Sequence, residues 1–110
     1  MKSVSINTHW STKQALTVVQ ITAHWLTLKQ KSYVICDPLM RFDLVEISVR
    51  EFRPNIFQLS DEEIEKRFTE RIQCFLHTFY GAYPFWVRVF CQKNSHDHGG
   101  ILRVLILCDN

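Results

Sequence analysis

The sequence predicts an α+β fold in which two helices cover one face of a mostly antiparallel sheet. Apolar residues alternate with period two in "RFDLVEISVREF", "PFWVRVFC" and "ILRVLILC", as in half-buried strands. In "LSDEEIEKRFTERIQCFLHTFYG" they recur instead at three- and four-residue steps, as on a helix with one buried stripe. A chain of 110 residues has the length of one domain and can bury a core unaided. Residues 1–110 are therefore expected to form a single α+β domain.

Taken in order, "KSVSIN" offers a short first strand. The next segment, "STKQALTVVQITAHWLTLKQK", carries two signals. Ser11 and Gln14 have capping-box spacing, and Leu16, Val19, Ala23 and Leu26 share a helical face. Its β-branched residues, Thr17, Val18, Val19, Ile21 and Thr22, suit a strand equally; its length predicts a helix. The apolar run "SYVIC" then leads through a turn at Pro38. In the following strand Val45, Ile47 and Val49 face the core, while Glu46, Ser48 and Arg50 face outward.

The second helix has the clearest ends. Ser60 and Glu63 form a capping box, Leu59 staples onto Ile64, and Gly81 stops the helix. Asp61, Glu62 and Glu63 oppose the positive end of its dipole. The stripe runs through Ile64, Phe68, Ile72, Phe75, Leu76 and Phe79. The last two strands form a hairpin. One face carries Phe85, Val87, Val89 and Cys91 with Leu102, Val104, Ile106 and Cys108; the other carries Trp86, Arg88 and Phe90 with Ile101, Arg103, Leu105 and Leu107. The order is (β)αββαββ, consistent with a ferredoxin-like arrangement that the last strand extends.

Composition excludes little. A net charge of +2 neither demands nor rejects a nucleic-acid partner. The 4 cysteines form no CxxC pair and lie in or beside apolar runs, which predicts buried reduced thiols rather than disulfides. "MKSVSINTHW" has no apolar core of a signal peptide, and "ALTVVQITAHWLTL" is short for a membrane span. A soluble cytoplasmic protein without membrane contact is expected.

The loop "QKNSHDHGG" gathers ligand chemistry. His96 and His98 are the residues a zinc ion would use, beside Asp97 and Cys91. A symmetric hairpin puts Cys108 on the order of 20 Å from Cys91, at a rise of about 3.3 Å per residue. No fourth ligand is therefore at hand, and the loop reads as a turn. No metal and no cofactor are assigned. Asp43, Glu51 and Arg53 resemble the Pro-Asp…(Asp/Glu)-x-Lys pattern of metal-dependent nucleases, which would imply carboxylates holding Mg²⁺. Arg53 stands where that family has lysine, and the Pro-Asp pair is missing. No other catalytic motif appears.

The outward face of the hairpin is the remaining surface of interest. Ile101, Leu105 and Leu107 make the last strand apolar on both sides, and such a strand is usually covered on both. The leading expectation is a non-enzymatic interaction or assembly module, a homodimer or a protein docked on a partner. Its contact residues would be Trp86, Phe90, Ile101, Leu105 and Leu107. The alternative is single-stranded nucleic-acid binding by Arg50, Arg88, Arg103, Trp86 and Phe90. That face is similar to those of RNA-recognition modules, although their aromatic motif precedes the second helix and this one follows it. A metal-dependent nuclease stands third.

Overall fold

The computed structural model describes residues 12–36, 42–81 and 85–108. Along the chain these are α1 (Thr12–Ala23), β1 (Thr27–Cys36), β2 (Phe42–Phe52), α2 (Pro54–Phe57), α3 (Asp61–Tyr80), β3 (Phe85–Lys93) and β4 (Gly100–Cys108). The strands form one antiparallel sheet in the order β1-β2-β4-β3. Helices pack on one face of it: α1 against β1 and β2, α3 against β3, and the two helices against each other. The architecture is the α+β arrangement that the periodicities imply.

On β2, β3 and β4 the buried residues include alternate ones that the sequence assigns to the core side, with Phe85 only half-buried. Val45, Ile47 and Val49 on β2, Val87, Val89 and Cys91 on β3, and Leu102, Val104 and Ile106 on β4 are buried. From the helices come Val18, Val19 and Ala23, then Ile64, Phe68, Ile72 and Leu76, so the apolar stripes meet the sheet directly. Removing these surfaces from water supplies about 25 cal/mol per Å².

The Ser60 hydroxyl accepts the Glu63 N–H at 3.1 Å, and the Glu63 carboxylate faces Arg67 Nε at 3.7 Å. Ile64 is buried with Leu59 packed against the same core. At the other end Gly81 has φ 68°, and its N–H donates to the His77 carbonyl at 3.0 Å. Phe79, in the last turn, is 64% exposed and stacks on Phe75 at 4.7 Å.

Besides the exposure of Phe79, which the stripe includes, three features of the chain path differ from the sequence reading. First, the segment read as one long helix divides: α1 ends at Ala23, and β1 begins at Thr27. Thr22 and Thr27 mark the break, their hydroxyls donating to the carbonyls of Val18 and Ala23. Such back-bonding satisfies carbonyls where a helix ends. Second, the last strand does not extend the sheet at an edge. It enters between β2 and β3, which run parallel to one another, and pairs with both. Third, a one-turn helix, α2, follows Arg53 with Pro54 at its start; Ile56 from it is buried. The strand expected in "KSVSIN", the Ser11 cap and the Pro38 turn lie outside the described residues.

Central placement of β4 depends on two glycines. The hairpin tip reaches the end of β2, where the Phe52 N–H donates to the His98 carbonyl at 2.8 Å. A Cβ on Gly99 would lie 2.9 Å from the Arg50 carbonyl oxygen and closer still to that of Val49. A Cβ on Gly100 would collide with the backbone of Gln92 and lie 2.9 Å from the Lys93 Cα. Backbone atoms in a paired strand cannot yield as a flexible side chain could. Gly99→Ala is therefore expected to destabilise the fold by at least about 2 kcal/mol, measured as a lowered urea midpoint at unchanged m-value.

Candidate functional site

The outer face of the sheet carries the residues that the sequence singled out. Pairing sets Trp86 beside Leu107, Arg88 beside Leu105, Phe90 beside Arg103 and Gln92 beside Ile101. On the other side of β4, Leu105 pairs with Leu44, Arg103 with Glu46 and Ile101 with Ser48. All five expected contact residues therefore share one surface. Trp86 is 65% exposed and Phe90 43% exposed, while Ile101, Leu105 and Leu107 are half-buried by neighbours on the same face. Among the described residues both helices lie on the opposite side of the sheet.

The arginines are also there, but in different circumstances. Arg103 Nε donates to Glu46 Oε2 at 2.8 Å, with side-chain exposures of 45% and 17%. The Arg88 guanidinium lies 5.4 Å from the centre of the Phe90 ring, within reach of a cation–π attraction. Arg50 is exposed at the end of β2, beside the irregular pairing with β1. Glu46 thus places a carboxylate at the middle of the face. The sequence marked it only as outward-pointing, because its pairing with Arg103 depends on β2 and β4 being neighbours.

The histidine-bearing loop is a structural clasp. Asn94 Nδ2 and the Gly99 N–H donate to Asp97 Oδ1 at 2.9 and 2.8 Å. These bonds, the Asn94 one foremost, hold the Asp97 carboxyl below its ordinary range. His98 packs edge-on against Phe57, with ring centres 5.0 Å apart. The His96 Nε2 lies 3.7 Å from Asp97 Oδ2. Lys93, at the foot of the loop, donates to the Leu59 carbonyl and sits 5.3 Å over the Phe57 ring. Among the described residues no cluster of three or more His, Cys, Asp or Glu side chains could hold a metal ion.

The nuclease-like residues are not brought together. Asp43 and Glu51 lie at opposite ends of β2, on the order of 25 Å apart at strand rise, too far to share one ion. Asp43 is buried on the core side. Arg53 turns to the end of α1, where its Nε and a terminal nitrogen donate to the His24 carbonyl at 3.2 and 3.0 Å. Its own N–H donates to the Leu26 carbonyl at 2.9 Å. Arg53 therefore joins the α1–β1 turn to the end of β2.

The cysteines are divided. Cys91 is a buried free thiol, but Cys74 is exposed, because it points away from the Ile72–Leu76 stripe of α3. The side chains of Cys36 and Cys108 lie outside those described. Glu65 Oε2 accepts the Cys91 N–H at 2.7 Å, and Asp61 Oδ1 lies 4.0 Å from the Cys91 sulfur. Burial, then the Asp61 and Glu65 carboxylates, push the thiol up to about 12, partly opposed by Lys93.

A second aromatic feature was missed by sequence reasoning. The Arg71 guanidinium lies 4.3 Å over the Trp25 ring, and Trp25 remains 58% exposed on the helical side. No signal in the sequence joins residues so far apart. Among the described residues no helix is long and apolar enough to cross a membrane.

Two outcomes follow for the cysteines. Iodoacetamide at pH 8 should alkylate Cys74 in the native protein and spare Cys91 until unfolding, as read by peptide mapping. The Cys91 thiol titrates higher in the folded chain than its ordinary 9.0. The folded state therefore holds the extra proton between those values, and stability should fall as pH rises from about 9 toward 12. Urea titrations of wild type and Cys91→Ala across that range should show a smaller decline in the variant.

Set against protein-family models, curated proteins and solved structures, the chain matches none of them.

Proposed function

We propose that the chain is a non-enzymatic interaction and assembly module, and that two copies associate through the outer sheet face. The observation that supports this is the apolar surface around Trp86, Phe90, Ile101, Leu105 and Leu107, whose two aromatics stand 65% and 43% exposed. A contiguous patch of this kind on a small chain marks a contact site more often than a bare surface. A homodimer covers it with the same chemistry it presents, and two-fold pairs are the commonest assemblies. Trp86 is the anchor: a large ring at the open edge strand, standing free of the core, has the character of an interface hot spot.

A second reading has its own support. Arg88 and Arg103 are exposed on the face that bears Trp86 and Phe90, and Arg50 is exposed just past the end of the β2–β4 ladder; arginines with aromatics can stack bases and neutralise phosphates. Glu46 weighs against it, because its carboxylate 2.8 Å from Arg103 cancels one of those charges.

Sedimentation velocity of the wild type across a concentration series should show a monomer–dimer equilibrium. Trp86→Ala should weaken it about tenfold or more, while leaving monomer stability within about 0.5 kcal/mol, since the residue is exposed. A wild type that stays monomeric, and binds a single-stranded oligonucleotide with an affinity that falls steeply with salt, would replace the first reading by the second.

A further inference from the structure

We infer that the second copy packs face to face about a two-fold axis running along the strands between β2 and β4, so that Glu46 of each copy meets Arg103 of the other. The inference rests on the proposed self-association and adds its geometry.

Overlap and charge together select this axis. With strand order β1-β2-β4-β3, the midline of the sheet falls between β2 and β4. Two in-plane axes through that region lay all four strands of one copy over those of the other. One runs along the strands and the other crosses them. Glu46 and Arg103 are directly paired across the midline, so they stand at the same height on either side of it. A crosswise axis at their height sets each strand on its own copy, Glu46 against Glu46 and Arg103 against Arg103. Like charges brought together out of water oppose association. Moving that axis half a row sets Glu46 on Leu44 or Ser48, and Arg103 on Leu105 or Ile101, none of which carries a charge.

The lengthwise axis exchanges β2 with β4 and leaves heights unchanged. Each carboxylate then gains a second guanidinium, and each guanidinium a second carboxylate. Packed sheets cross at about 30°, but strands lie only about 4.8 Å apart. Side chains flanking the axis are therefore displaced little by the crossing. Burying one ion pair in a dry interface seldom favours binding, because desolvation offsets the attraction. A ring of four alternating charges gives each desolvated group one more opposite neighbour. Leu44 and Leu105 border the ring on one side, and Ile101 borders it on the other. Phe90 and Arg88, on β3, would lie over β1 of the second copy, and Trp86 would lie just past its described end at Cys36.

The test is a charge exchange read by native mass spectrometry and sedimentation, with circular dichroism establishing that each variant is folded. Glu46→Arg alone and Arg103→Glu alone should each weaken the dimer at least about tenfold, because four like charges then meet. An equimolar mixture of the two should form a one-to-one heterodimer, and the double exchange E46R/R103E should dimerise again. The double exchange keeps the pair within each chain, so it remains readable if a single variant is too unstable. Single variants that dimerise as tightly as wild type, or a mixture or double exchange that stays monomeric while folded, overturn this geometry. If Trp86→Ala still dissociates the wild-type dimer, the self-association reading survives that result. A wild type that is monomeric at every concentration overturns both.

Discussion

Pairing of β4 on both of its edges is the constraint on which the rest of the fold depends. One ladder, from Phe42–Leu107 through Val49–Gly100, ties it to β2. The other, from Phe85–Cys108 to Lys93–Gly100, ties it to β3. Among the described residues, the β1–β2 pair and the α3–β3 unit share no strand pairing without β4. Register in these two ladders also decides which side chains meet on either face. A slip by one residue would exchange the core set Leu102, Val104 and Ile106 for the outer set. The loop that feeds β4 into the sheet is accordingly fastened at several points: Asp97 closes its turn, the His98 carbonyl takes the Phe52 N–H, and His98 and Lys93 lie against Phe57.

Much of this was legible in the sequence, and the reason is local. The side to which each strand residue points follows from alternation, and the limits of α3 follow from Ser60, Leu59 and Gly81. What could not be read depends on distant neighbours. The central position of β4 is a matter of which strands pair, and period-two alternation is the same at an edge or at the centre. The end of α1 at Ala23 carries no glycine or proline. It is marked by threonine hydroxyls that return to carbonyls four residues back, a signal equally compatible with a continuing helix. The exposure of Cys74, by contrast, is local: it lies off the Ile64–Leu76 stripe that the periodicity already marks.

The same distinction explains the candidate site. That Trp86, Phe90, Ile101, Leu105 and Leu107 share one surface was legible, since each pointing direction is local. That Glu46 stands beside Arg103 was not, because the two are joined only by the β2–β4 ladder. Conversely, the residues with the richest apparent chemistry act within the fold. Arg53 holds the His24 carbonyl at the end of α1, and Asp97 shapes a turn. The Arg53 guanidinium is engaged by backbone, and the Asp97 carboxylate by the Asn94 side chain and the Gly99 N–H.

The Glu65 carboxylate has a consequence for how sheets of this chain can meet. Among the described strands β3 lies at an edge, and the Cys91 N–H is already taken by Glu65 at 2.7 Å. An incoming strand would have to displace a carboxylate that sits where its own carbonyl should bond. The far edge is guarded by other means: Lys29 and Lys31 are exposed on β1, and its pairing with β2 is irregular between Thr27 and Gln30. Lysines and bulges both discourage strand addition. Edge-to-edge lengthening of the described sheet thus meets a carboxylate at one border, and lysines with irregular pairing at the other.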